Sequence, residues 1–306
     1  MKKSIYFQKV ALINIIVFFF LQSCSSNNSS STENWISLFN GKDLKDWTPK
    51  FTGYELGLNL KSTFRVENNL LTINYENWDE FNGEFGHLFY KDKFSHYKIR
   101  AKYKFFGDQL KNGPDWAYRN NGLMLHSQAP KTILKNQEFP ISIEAQLLGG
   151  NGVDQRNTLN LCSCGTDVIY KNQFHTDHCT NSSSKTYHGD DWVKVEILVL
   201  GDSIFKHFDE NGNNVIEYSK PTVTGDYGSL EYYPPGSRVM DGYIGIQAET
   251  HPTQFEYIKV LNLSGCMDKK ASNYKSYYVN PNDNSEAVLV KQSWLEIFWK
   301  NDNAFF

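Results

Sequence analysis

From residue 96 to residue 105 polar and apolar side chains alternate without a break. His96, Lys98, Arg100, Lys102 and Lys104 fall on one side, and Tyr97, Ile99, Ala101, Tyr103 and Phe105 on the other. A two-residue period is that of a strand with one face in water. The pattern recurs at residues 192–200, where Val193, Val195, Ile197 and Val199 form a uniform apolar face. Gly201-Asp202 turns that run into residues 204–208, and Asn211-Gly212 turns the next into residues 215–218. Short strands between Gly, Asn and Pro turns, with no long helical period and no internal repeat, predict an all-β chain built as two packed antiparallel sheets. Residues 107–118 and 151–189 interrupt the pattern and read as long loops, lengths that in a compact domain accompany function or disorder.

One strand carries candidate chemistry. In Pro140-Ile-Ser-Ile-Glu-Ala-Gln-Leu-Leu-Gly-Gly150, Ile141, Ile143, Ala145 and Leu147 make an apolar face while Ser142, Glu144 and Gln146 line the other. Two further segments show the same asymmetry. Met124, His126 and Gln128 share a face opposite Leu123 and Leu125, and Tyr243, Gln247, Glu249 and His251 share one opposite Ile244, Ile246 and Ala248. If these strands lie together, their polar faces form a hollow suited to a sugar. Independent strands with solvated outer faces would produce the same pattern, so periodicity alone does not decide between them.

The chain opens Met1-Lys2-Lys3, is apolar from Val10 to Leu21, and then reads Gln22-Ser23-Cys24-Ser25-Ser26. Residues 1–23 read as an export signal, and the apolar run is short for a bilayer span. Cys24 after Leu-Gln-Ser resembles a bacterial lipobox, which implies lipidation at Cys24 and a flexible tether over residues 24–34. The expectation is a lipid-anchored envelope protein. Without an acidic run after the cysteine it faces the periplasm from the outer membrane. A net charge of −3 with scattered signs argues against nucleic acid. Aromatic residues make up 15% of the chain, which suits a β protein whose rings fill a core or stack on sugars. Export favours disulfides, so Cys179 is expected to pair with Cys162 or Cys164. Cys162 and Cys164 with His175, His178 and Cys179 could also be drawn as a zinc cluster, although the spacing matches no common zinc pattern.

The segment Ser37-Leu-Phe-Asn-Gly-Lys-Asp-Leu-Lys-Asp-Trp47 resembles the opening of the 3-keto-disaccharide hydrolase family of exported bacterial proteins. The similarity continues in order through Thr63-Phe-Arg-Val-Glu67, Phe85-Gly-His-Leu-Phe-Tyr90, Asn120-Asn-Gly-Leu-Met-Leu-His126, Ser142-Ile-Glu-Ala-Gln146 and Gly245-Ile-Gln247. It covers residues 35–265 and implies a jelly-roll sandwich like the concanavalin A-type lectins and glucanases. Beyond it, Gly265-Cys266-Met267-Asp268 resembles a tail that normally closes with a second cysteine, which Glu286-Ala287 replaces here. Residues 266–306 therefore have no assigned structure.

The resemblance implies hydrolysis of 3-keto-glycosides, chiefly 3-keto-disaccharides. A ketone at carbon 3 acidifies the proton on carbon 2, a base removes it, the aglycone leaves from carbon 1, and water adds back. The developing enolate needs a divalent cation or convergent donors. Glu144 and His126 are the candidate acid/base pair or metal ligands, Gln146 and Gln247 would orient hydroxyls, and Glu249, His251, Arg119 and His87 are further substrate-binding candidates. A sugar 3-dehydrogenase is implied as the source of the keto sugar. Two rivals remain: a non-catalytic carbohydrate-binding module, and a glucanase-like glycosidase on unoxidised glucan. The second needs paired carboxylates, and the Glu144 strand supplies one; Glu249 could be the other only if the sheet brings it near.

Overall fold

The computed structural model describes residues 32–228 and 230–281. Residues 1–23, read above as an export signal, Cys24 and the chain end from residue 282 lie outside the described residues. Among these, helix is limited to three 3-10 turns, at Leu60–Ser62, Asp115–Ala117 and Pro130–Thr132. No helix among them is long and apolar enough to cross a membrane.

Two antiparallel sheets carry the fold, as the alternating pattern requires. The larger runs Gln173–His175, Thr166–Tyr170, Asn214–Val223, Ile204–Phe208, Val193–Leu200, His96–Phe105, Thr253–Asn262, Leu70–Ile73, Phe64–Glu67, with Ile36–Ser37 added on the Thr253–Asn262 strand. The smaller runs Cys179–Thr180, Asn160–Cys164, Ser142–Leu148, Asn120–Ser127, Gly242–Ala248, Gly86–Phe94, Trp47–Phe51. Strands distant in sequence are neighbours in both sheets, the connectivity of a jelly-roll sandwich. The short Ser264–Gly265 and Asn280–Pro281 strands pair in parallel, with Cys266 buried and unbonded beside them.

The core lies between the sheets and is rich in rings. Tyr97, Tyr103, Phe205 and Phe255 from the larger sheet and Phe51 from the smaller are fully buried there. Tyr97, Ile99, Ala101, Tyr103 and Phe105 all point inward, as their alternation requires. Lys98, Arg100 and Lys102 between them meet Glu33, Glu196 and Glu256 on the solvent side, pairings that add little stability in water. On the smaller sheet Leu123, Leu125, Ile143, Ala145, Leu147, Ile244 and Ile246 face the core, which commits Glu144, Gln146 and Gln247 to the opposite side.

The reading of residues 151–189 as one long loop is corrected by the structure. Four strands lie within it: Asn160–Cys164, Thr166–Tyr170, Gln173–His175 and Cys179–Thr180. They widen both sheets, and Asn160–Cys164 pairs directly with Ser142–Leu148. Cysteines and polar residues hide the alternation here, because both faces of Asn160–Cys164 are buried and a strand covered on both sides shows no solvent face to read.

Candidate active site

The three asymmetric strands are adjacent. Met124 stands opposite Glu144 on one side and Gly245 on the other, and Leu123 pairs with Ile246, so Gln247 falls opposite Gly122. Glu144 leans into that gap. A Cβ on residue 122 would stand 2.3 Å from Glu144 Oε1 and 2.7 Å from Gln247 Oε1. Glycine is thus required at position 122 for its open face, whatever its backbone angles.

A cavity of about 330 Å3 opens here. Its floor holds Glu144, Gln146, Asn120 and Glu249, and one side holds His178 and the Cys162–Cys179 disulfide, whose S–S bond is 2.05 Å. The wall opposite is aromatic. Trp116 and Phe139 line it, each packed on Phe85 with ring centres 5.6 and 5.1 Å away. Trp116 remains 52% exposed, which leaves ring surface free at the mouth. Such a wall opposite polar groups suits a pyranose, whose C–H face packs on rings while its hydroxyls meet acceptors.

The floor is buried and short of partners. Glu144 and Glu249 are 4% and 2% exposed, so each carboxyl is nearly cut off from water. Glu144 Oε1, Glu249 Oε2, Asn120 Oδ1 and both amide atoms of Gln247 have no hydrogen-bond partner. Buried polar atoms are costly when unpaired, and three in the cavity lining, with the Gln247 amide next to Glu144, mark where a hydroxylated ligand would supply the missing bonds. Burial raises both carboxyls above the usual carboxylate range. Glu249 is raised further by the charge on Glu144, whereas the Gln247 amide and the Cys164 thiol moderate the rise at Glu144. Cys164 Sγ lies 3.9 Å from Glu144 Oε2, and the Gln247 amide is near without forming a well-directed bond. The pair therefore holds a proton, and the member without donors, Glu249, is the better place for it.

The other expected site residues lie elsewhere, with one correction of role for His126. Its strand has an extra residue: Tyr243 pairs with Ser127 but Gly245 with Met124. His126 occupies this bulge at φ +48° and turns into the core, its ring 5.7 Å from Tyr97 and 5.3 Å from Phe205. Gly242 opposite is what lets the backbones meet, since a Cβ there would come 2.3 Å from the His126 carbonyl carbon. His126 thus shares no face with Met124 and does not meet Glu144, so the proposed His126–Glu144 metal pair does not fit. Among the described residues no group of three or more His, Cys, Asp or Glu is placed to hold a metal ion. The cysteine–histidine cluster is likewise no zinc site, because Cys162 and Cys179 are bonded to each other and His175 Nε2 is within 2.6 Å of Thr180 Oγ1.

His251 is turned aside after Thr250, whose φ is +77°. It packs edge-on against Tyr118 and Phe105 outside the cavity lining. Arg119 clamps the far insertion through Gly189 O and Asp190, 2.6 Å away. His87 stands opposite Gln247 but lies under Phe139, and burial pushes its pKa down to about 3. Sequence reasoning missed Trp116 and Phe139, because both sit on irregular segments where no period marks a direction.

No curated protein sequence matches the chain. Among solved structures it resembles a candidate glycosyl hydrolase from Parabacteroides distasonis ATCC 8503, 17% identical over 77% of this chain and 97% of that one, with a TM-score of 0.44. A Bacillus subtilis protein of unknown function with a galectin-like fold is 12% identical over 75% and 94%, with a TM-score of 0.48. The exoplasmic/lumenal domain of VIP36 bound to Ca2+ and Man3GlcNAc is 8% identical over 82% and 99%, with a TM-score of 0.42. Residues 34–261 match the family described as the 3-keto-alpha-glucoside-1,2-lyase-like domain, and the chain belongs to that family.

Proposed function

We propose that the protein cleaves 3-keto-glycosides by elimination across carbons 1 and 2 followed by hydration. The observation that carries this reading is the buried Glu144–Glu249 pair, which holds a base and an acid on one cavity floor. Ionised Glu144 takes the proton from carbon 2, acidified by the ketone. The C1–O bond breaks, its electron pair goes to the aglycone oxygen, and neutral Glu249 protonates that oxygen. The enolate-like charge on the carbonyl oxygen meets the unpartnered donor Gln247 Nε2. Water then adds to carbon 1 with Glu249 as base while Glu144 returns its proton to carbon 2, restoring the starting protonation. The substrate requires prior oxidation by a sugar 3-dehydrogenase, and the leader through Cys24 would place the reaction in the cell envelope.

Because the sheet brings Glu249 beside Glu144, a two-carboxylate glycosidase acting on unoxidised sugar is the second reading. Release of reducing sugar from 3-keto-trehalose and from trehalose, with and without chelator, separates them. We expect turnover of the keto sugar alone and its loss in both Glu144→Gln and Glu249→Gln. Equal cleavage of trehalose would favour the second reading, and saturable binding without turnover would identify a binding module.

A further inference from the structure

A second cavity adjoins the first across a single turn of chain. It is a more open hollow of about 300 Å3, lined by Gln109, Asp115, Tyr118, Asn151 and Arg156. The partition is the 3-10 turn Asp115–Ala117, which presents Trp116 to the carboxylate cavity and Asp115 to the second. The floor is shared in the same way. Asn120 is opposite Leu148 where one strand begins and the other ends. Beyond that edge the chains supply Tyr118 on one side and Asn151 and Arg156 on the other. From Gln146 to Gly149 is about 10 Å at the strand rise of about 3.3 Å per residue, room for one more ring.

Neither charged group lining this hollow forms an ion pair with a described residue. Arg65, Arg100, Arg119 and Arg238 each form an ion pair, whereas Arg156 has none among the described residues. Its guanidinium is held instead by backbone, Nε donating to Gly149 O at 3.0 Å and an Nη group to Tyr118 O. Burial lowers its pKa, which a ligand oxygen would offset. The exposed Asp115 carboxylate has no hydrogen bond or ion pair among the described residues, whereas the Gln109 and Asn151 amides that line the same hollow are bonded to Pro114 O, Thr250 Oγ1 and Asp154. A guanidinium fixed by backbone and a free carboxylate lining one hollow, beside a tyrosine ring, match vicinal hydroxyls that both give and take hydrogen bonds. An anionic ligand would meet Asp115, and an apolar aglycone would bury Arg156 unpaired.

We propose that this cavity is a separate sugar subsite that holds the departing ring of the substrate, with Arg156 and Asp115 reading its hydroxyls. The assignment of that ring as the leaving group rests on the reading above; the binding of a second sugar ring does not. The test uses the full chain carrying Glu144→Gln, which binds without turning over, and compares 3-keto-trehalose with methyl 3-keto-glucoside by calorimetry. Adding Asp115→Ala, which removes no internal bond, or Arg156→Lys, which keeps the charge but not the fork, should weaken 3-keto-trehalose about tenfold. Affinity for the methyl glycoside should not change. Equal losses for both ligands, no loss, or no measurable binding of 3-keto-trehalose would overturn the subsite. A selective loss in binding alongside a wild-type protein that cleaves neither ligand would instead retain the subsite and remove the hydrolase reading.

Discussion

Glu144 lies over Gly122 of the neighbouring strand, with Oε1 only 2.3 Å from where a Cβ at residue 122 would stand. The carboxylate leans toward Gln247 because that position is empty. An alanine there must displace the Glu144 side chain or spread the sheet, and overpacking costs about 1–3 kcal/mol. Gly122→Ala should therefore lower kcat about 100-fold, the cost of misplacing a reacting group, while the protein remains folded by circular dichroism. Undiminished turnover in that variant would show that Glu144 need not occupy the gap.

The carboxyl pair also makes a pH prediction. Both groups have folded pKa values raised above the unfolded range, so they contribute full stability below about pH 4, and that contribution is lost as pH rises through the raised values. The wild type should melt at lower temperature at about pH 9 than at about pH 6. Glu249→Gln should flatten this slope and gain about 2–6 °C on the alkaline side, although it abolishes turnover. Activity itself should be bell-shaped, falling on the acid side as the base is protonated and on the alkaline side as the shared proton leaves. A wild-type melting temperature independent of pH across this range would contradict the buried pair.

What was legible in the sequence follows from what alternation records. Glu144 and Gln146 could be placed because Ile143, Ala145 and Leu147 between them face the core, and a strand packed on one side displays its parity. His126 was misplaced because a bulge inserts one residue and reverses that parity. The nearness of Glu249 to Glu144 depends on sheet order, and their strands are separated in the sheet by Asn120–Ser127. Nothing local to either segment encodes that order. Trp116 and Phe139 reach the cavity from irregular chain, where direction is set by packing on Phe85 and not by a period.

Position 126 offers the clearest separation of packing from chemistry. Its ring is buried between Tyr97 and Phe205 with Nε2 3.2 Å from Ser95 O and Nδ1 unpartnered. Burial pushes its pKa down to about 4. The neutral ring is thus favoured by the fold, and stability should be lost as pH falls from about 6.5 towards that value. His126→Ala would leave a cavity under the bulge and should cost about 2–4 kcal/mol, read as a lower urea midpoint. At a temperature where the variant is folded, its kcat should stay within about threefold of the wild type, because packing effects remote from the reacting atoms are small beside loss of a catalytic group. A fall of about 100-fold or more, with a normal fold and an unchanged urea midpoint, would mean that His126 acts in the chemistry.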